Sequence, residues 1–86
     1  MILKDDRTEE QKKTHVWGVV GTDPFMSGWG EAKDGASYAV WATTAGNVAS
    51  VEREVLNRGD MHRVRVVYLP DYRPRFAAHV HIYVRT

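Results

Sequence analysis

The stretch TTAGNVASVEREVLNRG, residues 43–59, contains the one clear helical pattern in a chain whose other ordered segments are strand-like. Its apolar residues recur at the spacing of one helix face, at Val48, Val51 and Val55. Thr43 and Thr44 are residue types that cap helix N-termini, and Gly59 suits the left-handed position that follows a helix. We therefore predict a helix between these caps.

Four segments around the helix have the β-branched and aromatic content of strands: residues 14–22, 36–43, 63–69 and 77–85. Two precede the helix and two follow it, which gives the order ββαββ. A right-handed crossover through the helix makes the second and third strands parallel, and we expect the other sequence neighbours to be antiparallel. The predicted fold is α+β, a single four-stranded sheet with one helix packed on one face.

The last segment alternates most regularly, since Val80, Ile82 and Val84 point one way and polar residues the other. We expect these three apolar residues to lie under the helix. Residues 1–13 are polar and charged without a sustained apolar period, so we expect a flexible leader ahead of a single α+β domain at residues 14–86.

Composition excludes several classes of protein. The 86 residues are 43% apolar and include no cysteine, which excludes disulfides and cysteine-ligated zinc. The chain has neither an apolar run of about 20 residues nor the apolar core of a signal peptide, so we expect no membrane association and a cytoplasmic location. No nucleophile or phosphate-binding motif is present, and we predict that the protein is not an enzyme and uses no cofactor.

The polar side of the predicted sheet is a candidate nucleic-acid surface, with six residues on strands three and four: Arg63, Arg65, His79, His81, Tyr83 and Arg85. Single-stranded nucleic acid binds platforms that combine basic and aromatic side chains. The net charge of only +1 and the presence of one aromatic residue in this set disfavour that function. The alternative is an ordinary solvated sheet face.

His79 and His81 lie two residues apart on a strand, so their side chains project on the same side about 7 Å apart. Two zinc ligands can adopt this spacing if others join them, and the candidates are His15, His62 and Asp71. A structural zinc site needs four ligands, and none of the usual ligand spacings is present. We expect no metal site.

The segment DPFMSGWGEAKDG, residues 23–35, connects the first two predicted strands and is far longer than a hairpin turn. It carries three large apolar residues, Phe25, Met26 and Trp29, among glycines that permit a tight path. One interpretation is a compact cover over one end of the sheet. The other is a contact patch for a partner protein, in which Trp29 anchors the loop and Phe25 or Met26 stays exposed.

The run Asp23-x-Phe25-Met26-Ser27-Gly28-Trp29-Gly30-x-Ala32 resembles the signature of a family of short uncharacterised phage and prophage proteins. Residues 58–61, RGDM, and 63–66, RVRV, match later features of that family, so the resemblance covers residues 23–67. The C-terminal HVHIYV departs from the family pattern, which puts a shared role for that strand in doubt. The resemblance implies a mobile-element setting, in which small cysteine-poor proteins often bind a host protein; anti-CRISPR and other anti-defence inhibitors are one class.

We therefore expect a phage- or prophage-encoded binding module that contacts a host protein through Phe25, Met26 and Trp29. The alternative is a nucleic-acid binder that uses the polar sheet face. The oligomeric state is left open by the sequence.

Overall fold

The computed structural model describes residues 2–22, 36–73 and 77–86, which form an α+β fold with one five-stranded sheet. The elements in chain order are β1 (Ile2–Asp5), α1 (Gln11–Thr14), β2 (Trp17–Thr22), β3 (Ala36–Thr43), α2 (Val48–Arg58), β4 (His62–Tyr68), a 3-10 turn (Leu69–Asp71) and β5 (Ala77–Val84). No helix in these ranges is long and apolar enough to cross a membrane.

The predicted number of strands was one too low, because Ile2–Asp5 in the expected leader forms a fifth strand. This strand pairs in parallel with β5, with Leu3 opposite Val80. Four residues are too short for alternation to stand out in a sequence, so the pairing is visible only in the folded chain. The backbone N–H of Asp6 extends the contact by donating to the carbonyl of Ile82 at 2.9 Å.

The strand order is β1-β5-β3-β2-β4. β2 is antiparallel to both β3 and β4, so β3 and β4 point the same way, as predicted, but with β2 between them. The expected antiparallel pairing of the last two strands is wrong: β5 pairs in parallel with β3 on the other side of the sheet. Alternation along a strand determines its two faces but not its neighbours, which is why the sequence pattern did not reveal this order.

The sheet is covered on both sides, and the two sides have separate cores. On the side that we call the helix face, Val19 packs with Val51 and Val55 of α2. On the opposite face, six buried residues form a second cluster: Val20, Val40, Ala42, Leu69, Val80 and Ile82.

Val80 and Ile82 are buried as expected, but not under the helix. The register aligns Ile82 with Val40 of β3, and both point away from α2. Leu69, in the turn after β4, reaches the same cluster and so covers the face that the prediction left open.

The helix ends as the sequence predicts, with Gly59 in the left-handed conformation at φ 75°. Its start differs from the prediction. The chain first turns, with the N–H of Asn47 donating to the carbonyl of Thr44 at 3.0 Å, and the helix begins at Val48 without a side-chain cap at Asn47. The expected caps at Thr43 and Thr44 are therefore wrong, because this turn separates both residues from the first helical turn.

Candidate functional site

The predicted contact residues Phe25, Met26 and Trp29 lie outside the residues that the structure describes. Their proposed role in binding a partner therefore stays a prediction.

The six residues of the predicted nucleic-acid surface do not form one surface. Arg63 and Arg65 are on β4, and the other four are on or just beyond β5, three strand spacings away at about 14 Å. The Arg65 guanidinium lies over the ring of Tyr38, 5.5 Å from its centroid. His79, His81, Tyr83 and Arg85 remain together at the other side of the sheet.

A row of stacked side chains lies on the helix face. The ring of Tyr83 stacks on Trp41 at 5.8 Å between centroids and on His81 at 3.8 Å. The Arg58 guanidinium, at the end of α2, lies 5.2 Å from the centroid of the Trp41 ring. We call these four residues, Arg58, Trp41, Tyr83 and His81, the ring stack.

The parallel register of β3 and β5 produces this row. Trp41 is the direct partner of Tyr83, and His81 lies two residues before Tyr83 on the same face of β5. Helix α2 packs over β2, β4 and β3 and leaves the helix face of β5 largely uncovered. Tyr83 consequently remains 39% exposed, although its ring touches two others.

A shallow groove of about 240 Å³ lies beside the ring stack, between α2 and the ends of β3 and β5. Its walls combine apolar side chains with three charged ones: Trp41, Val51, Val55, Glu54, Arg58 and Arg85. Arg85 forms an ion pair with Glu54 across the groove. The lining of the groove thus includes a charged pair and the buried valines Val51 and Val55.

The two arginines of the groove already have acidic partners. Arg85 pairs with Glu54, and Nη2 of Arg58 lies 2.9 Å from a carboxylate oxygen of Asp60. These are partly exposed pairs, which contribute little to stability but do offset local positive charge. The groove therefore contains two arginine side chains but has little net positive charge.

His81 connects the ring stack to the N-terminal segment, since its Nε2 lies 2.8 Å from Oδ2 of Asp6. His79 is exposed. Within the described ranges, no three His, Asp or Glu side chains come together in a way that could hold a metal ion. Of the two histidines, His81 is the one that stacks on Tyr83 and bonds to Asp6.

The N-terminal segment is held by Arg7. Its Nη2 lies 2.8 Å from Oδ2 of Asp5, and its Nη1 donates to the carbonyl of His15 at 3.0 Å. Burial by itself raises the pKa of Asp5, but the hydrogen bonds and the charge of Arg7 outweigh it and hold that pKa below its ordinary value. The ionised form of Asp5, which binds Arg7, is thus favoured over the protonated form.

Sequence reasoning identified His81, Tyr83 and Arg85 as members of a surface but missed Trp41 and Arg58. Trp41 lies in the segment 36–43, which is apolar on both faces in places, and Arg58 lies on the last turn of the predicted helix, so neither stands out as a surface residue in the sequence. The aromatic and arginine content near residues 81–85 was the available signal. The strand pairing that joins these residues was not readable from the sequence.

Comparisons of the chain with protein-family models, curated proteins and solved structures found no match.

Proposed function

We propose that this chain is a non-enzymatic binding module that contacts a host protein through the ring stack and the adjoining groove. The observation that carries the proposal is the ring stack, in which Arg58 and Tyr83 are exposed and Trp41 and His81 half-buried, beside a groove lined in part by Val51 and Val55. Tryptophan, tyrosine and arginine are the residue types that dominate binding energy at protein interfaces. Because the rings already stack on one another, they lose little side-chain freedom on binding.

The charge distribution favours a protein over a nucleic acid. Arg58 and Arg85 are paired with Asp60 and Glu54, so the groove has few free cations to contact a phosphate backbone. The whole chain carries a net charge of +1. An interface with an apolar centre and a polar rim matches this surface better.

A single-stranded nucleic acid is the second candidate, and one observation favours it. Three aromatic rings, Trp41, Tyr83 and His81, lie next to arginine side chains, and single-stranded nucleic acid binds surfaces that combine aromatic and basic groups. Fluorescence anisotropy of a labelled oligo-dT measures this binding directly. Affinity that falls steeply with salt and is lost in Tyr83→Ala would favour nucleic acid over protein.

The phage or prophage setting, and an anti-defence role within it, rest on the resemblance of residues 23–67. Phe25, Met26 and Trp29 remain proposed as a second contact element in that setting. The target host protein is best sought among defence proteins of a bacterial host.

Tyr83→Ala tests the proposed site, with Tyr68→Ala as a matched control. Both tyrosines are on strands and both contact a tryptophan ring; Tyr83 is 39% exposed and Tyr68 is 43% exposed. Tagged protein is used to capture partners from a nuclease-treated bacterial lysate, and affinity for the captured protein is then measured with purified components. We expect Tyr83→Ala to weaken binding by about 30-fold, the size of an interface hot spot, and Tyr68→Ala to leave it unchanged.

Equal affinity of wild type and Tyr83→Ala would contradict the proposal, provided that both proteins melt at similar temperatures. A loss in Tyr68→Ala alone would also contradict it, because that residue lies on β4, away from the groove.

A further inference from the structure

The outer edge of β4 is a second surface with its own chemistry. β4 lies at one end of the strand order and pairs only with β2 among the described strands. Its register with β2 is continuous over Arg65–Tyr68 and shifts opposite Gly21, between Val20 and Thr22. The outward backbone groups of Arg65–Tyr68 therefore form a regular ladder of donors and acceptors, the arrangement on which an added strand pairs.

The other end of the sheet is a poorer platform. β1 has four residues, whereas β4 has seven and is braced by hydrogen bonds to β2 along most of its length. β4 also contains no proline, so every residue of its ladder has an N–H group.

The side chains of β4 indicate what kind of strand fits beside it. Its first half carries His62, Arg63 and Arg65, and the strand has no acidic residue. On the helix face, Val66 is 36% exposed and Tyr68 is 43% exposed. A neighbouring strand would bury those two apolar side chains and lie beside the exposed Arg63, whereas the Arg65 guanidinium is turned inward over Tyr38. Charge complementarity therefore calls for an acidic neighbour.

We propose that β4 binds an extended acidic segment of a partner protein, which adds to the sheet as a sixth strand. A carboxylate of that segment pairs with Arg63, and its apolar residues pack on Val66 and Tyr68. A second copy of this chain is a poor occupant, since two β4 strands would bring four arginines together without a compensating acid. This surface is distinct from the ring stack, and each can be tested without the other.

The probe is a synthetic peptide that alternates glutamate with valine and threonine, titrated into ¹⁵N-labelled protein. Two comparison peptides are used: one with lysine in place of glutamate, and one with N-methyl groups on alternate amides. We expect shift changes concentrated in residues 62–68, slowed amide exchange on the outer side of β4, and affinity for the lysine peptide about tenfold lower. The N-methylated peptide cannot donate along one edge and should not bind.

Charge reversal in the protein gives the matched control. Arg63→Glu should reverse the preference toward the lysine peptide, whereas Arg53→Glu, at an exposed position on α2, should leave it unchanged. The proposal is overturned if the acidic peptide does not bind at about millimolar concentration, if the lysine or N-methylated peptide binds as well, or if the shifts fall outside β4. It is also overturned if the β4 amides are already protected in a dimer without peptide.

Discussion

The separation of the two cores makes a quantitative prediction about coupling between mutations. Val55 of α2 is 3% exposed and Ile82 of β5 is 6% exposed, but they belong to clusters on opposite faces of the sheet. Ile82→Val removes one methylene and should lower the free energy of unfolding by about 1 kcal/mol, and Val55→Ala should lower it by about 2 kcal/mol. Because the two side chains share no contact, the double mutant should lose about 3 kcal/mol, with a coupling energy below about 0.5 kcal/mol.

Urea unfolding followed by tryptophan fluorescence and by circular dichroism measures the four proteins of this cycle. A control cycle combines Ile82→Val with Val40→Ala, which are register partners in one cluster and should show coupling of at least about 0.5 kcal/mol. A coupling energy above about 1 kcal/mol between Val55 and Ile82 would refute the two-core arrangement, because side chains on opposite faces of a sheet that share no contact do not couple so strongly.

Other substitutions test individual contacts. The pKa of Asp5 lies below its ordinary value, so the stability that Asp5 contributes is present above about pH 4 and is lost as the pH falls through the folded-state pKa. Urea titrations should therefore show that wild type is more stable than Asp5→Asn at neutral pH and that this difference disappears in acid. Burial raises the pKa of Tyr72, and the charge of Arg65 opposes this shift. Wild type should therefore lose stability above about pH 10, as the phenol ionises. Thermal unfolding at alkaline pH should show that Tyr72→Phe lacks this loss. The Tyr72 hydroxyl is buried without a hydrogen-bond partner in the described part of the chain, so Tyr72→Phe should melt at about the wild-type temperature at neutral pH. A marked drop in that melting temperature would contradict the absence of a partner. Gly59→Ala should lower the free energy of unfolding by about 1 kcal/mol because φ is 75°, and an unchanged urea midpoint would argue against the left-handed cap.

Local patterns in the sequence predicted local structure well. The valine spacing of residues 48–55 and the position of Gly59 correctly placed α2 and its end, and alternation in residues 77–85 correctly separated buried Val80 and Ile82 from His81 and Tyr83. These features depend on a few neighbouring residues and on the geometry of one element.

Pairing between distant segments could not be predicted in the same way. The parallel register of β3 with β5 depends on which strand edge is left free once β2 lies between β3 and β4. That register puts Tyr83 beside Trp41, and Tyr83 stays exposed because α2 packs over β2, β4 and β3. Half of the ring stack was thus visible as exposed polar and aromatic residues on one strand, and the other half only after folding.

Backbone hydrogen–deuterium exchange of this protein, alone and with its captured host protein, tests the proposed site most directly. Binding at the ring stack should slow exchange in β5 and in the second half of α2, around Tyr83 and Arg58, and leave β4 unchanged. Slowed exchange confined to residues 23–35 or to β4, with β5 and α2 unaffected, would contradict the assignment of the ring stack as the contact site.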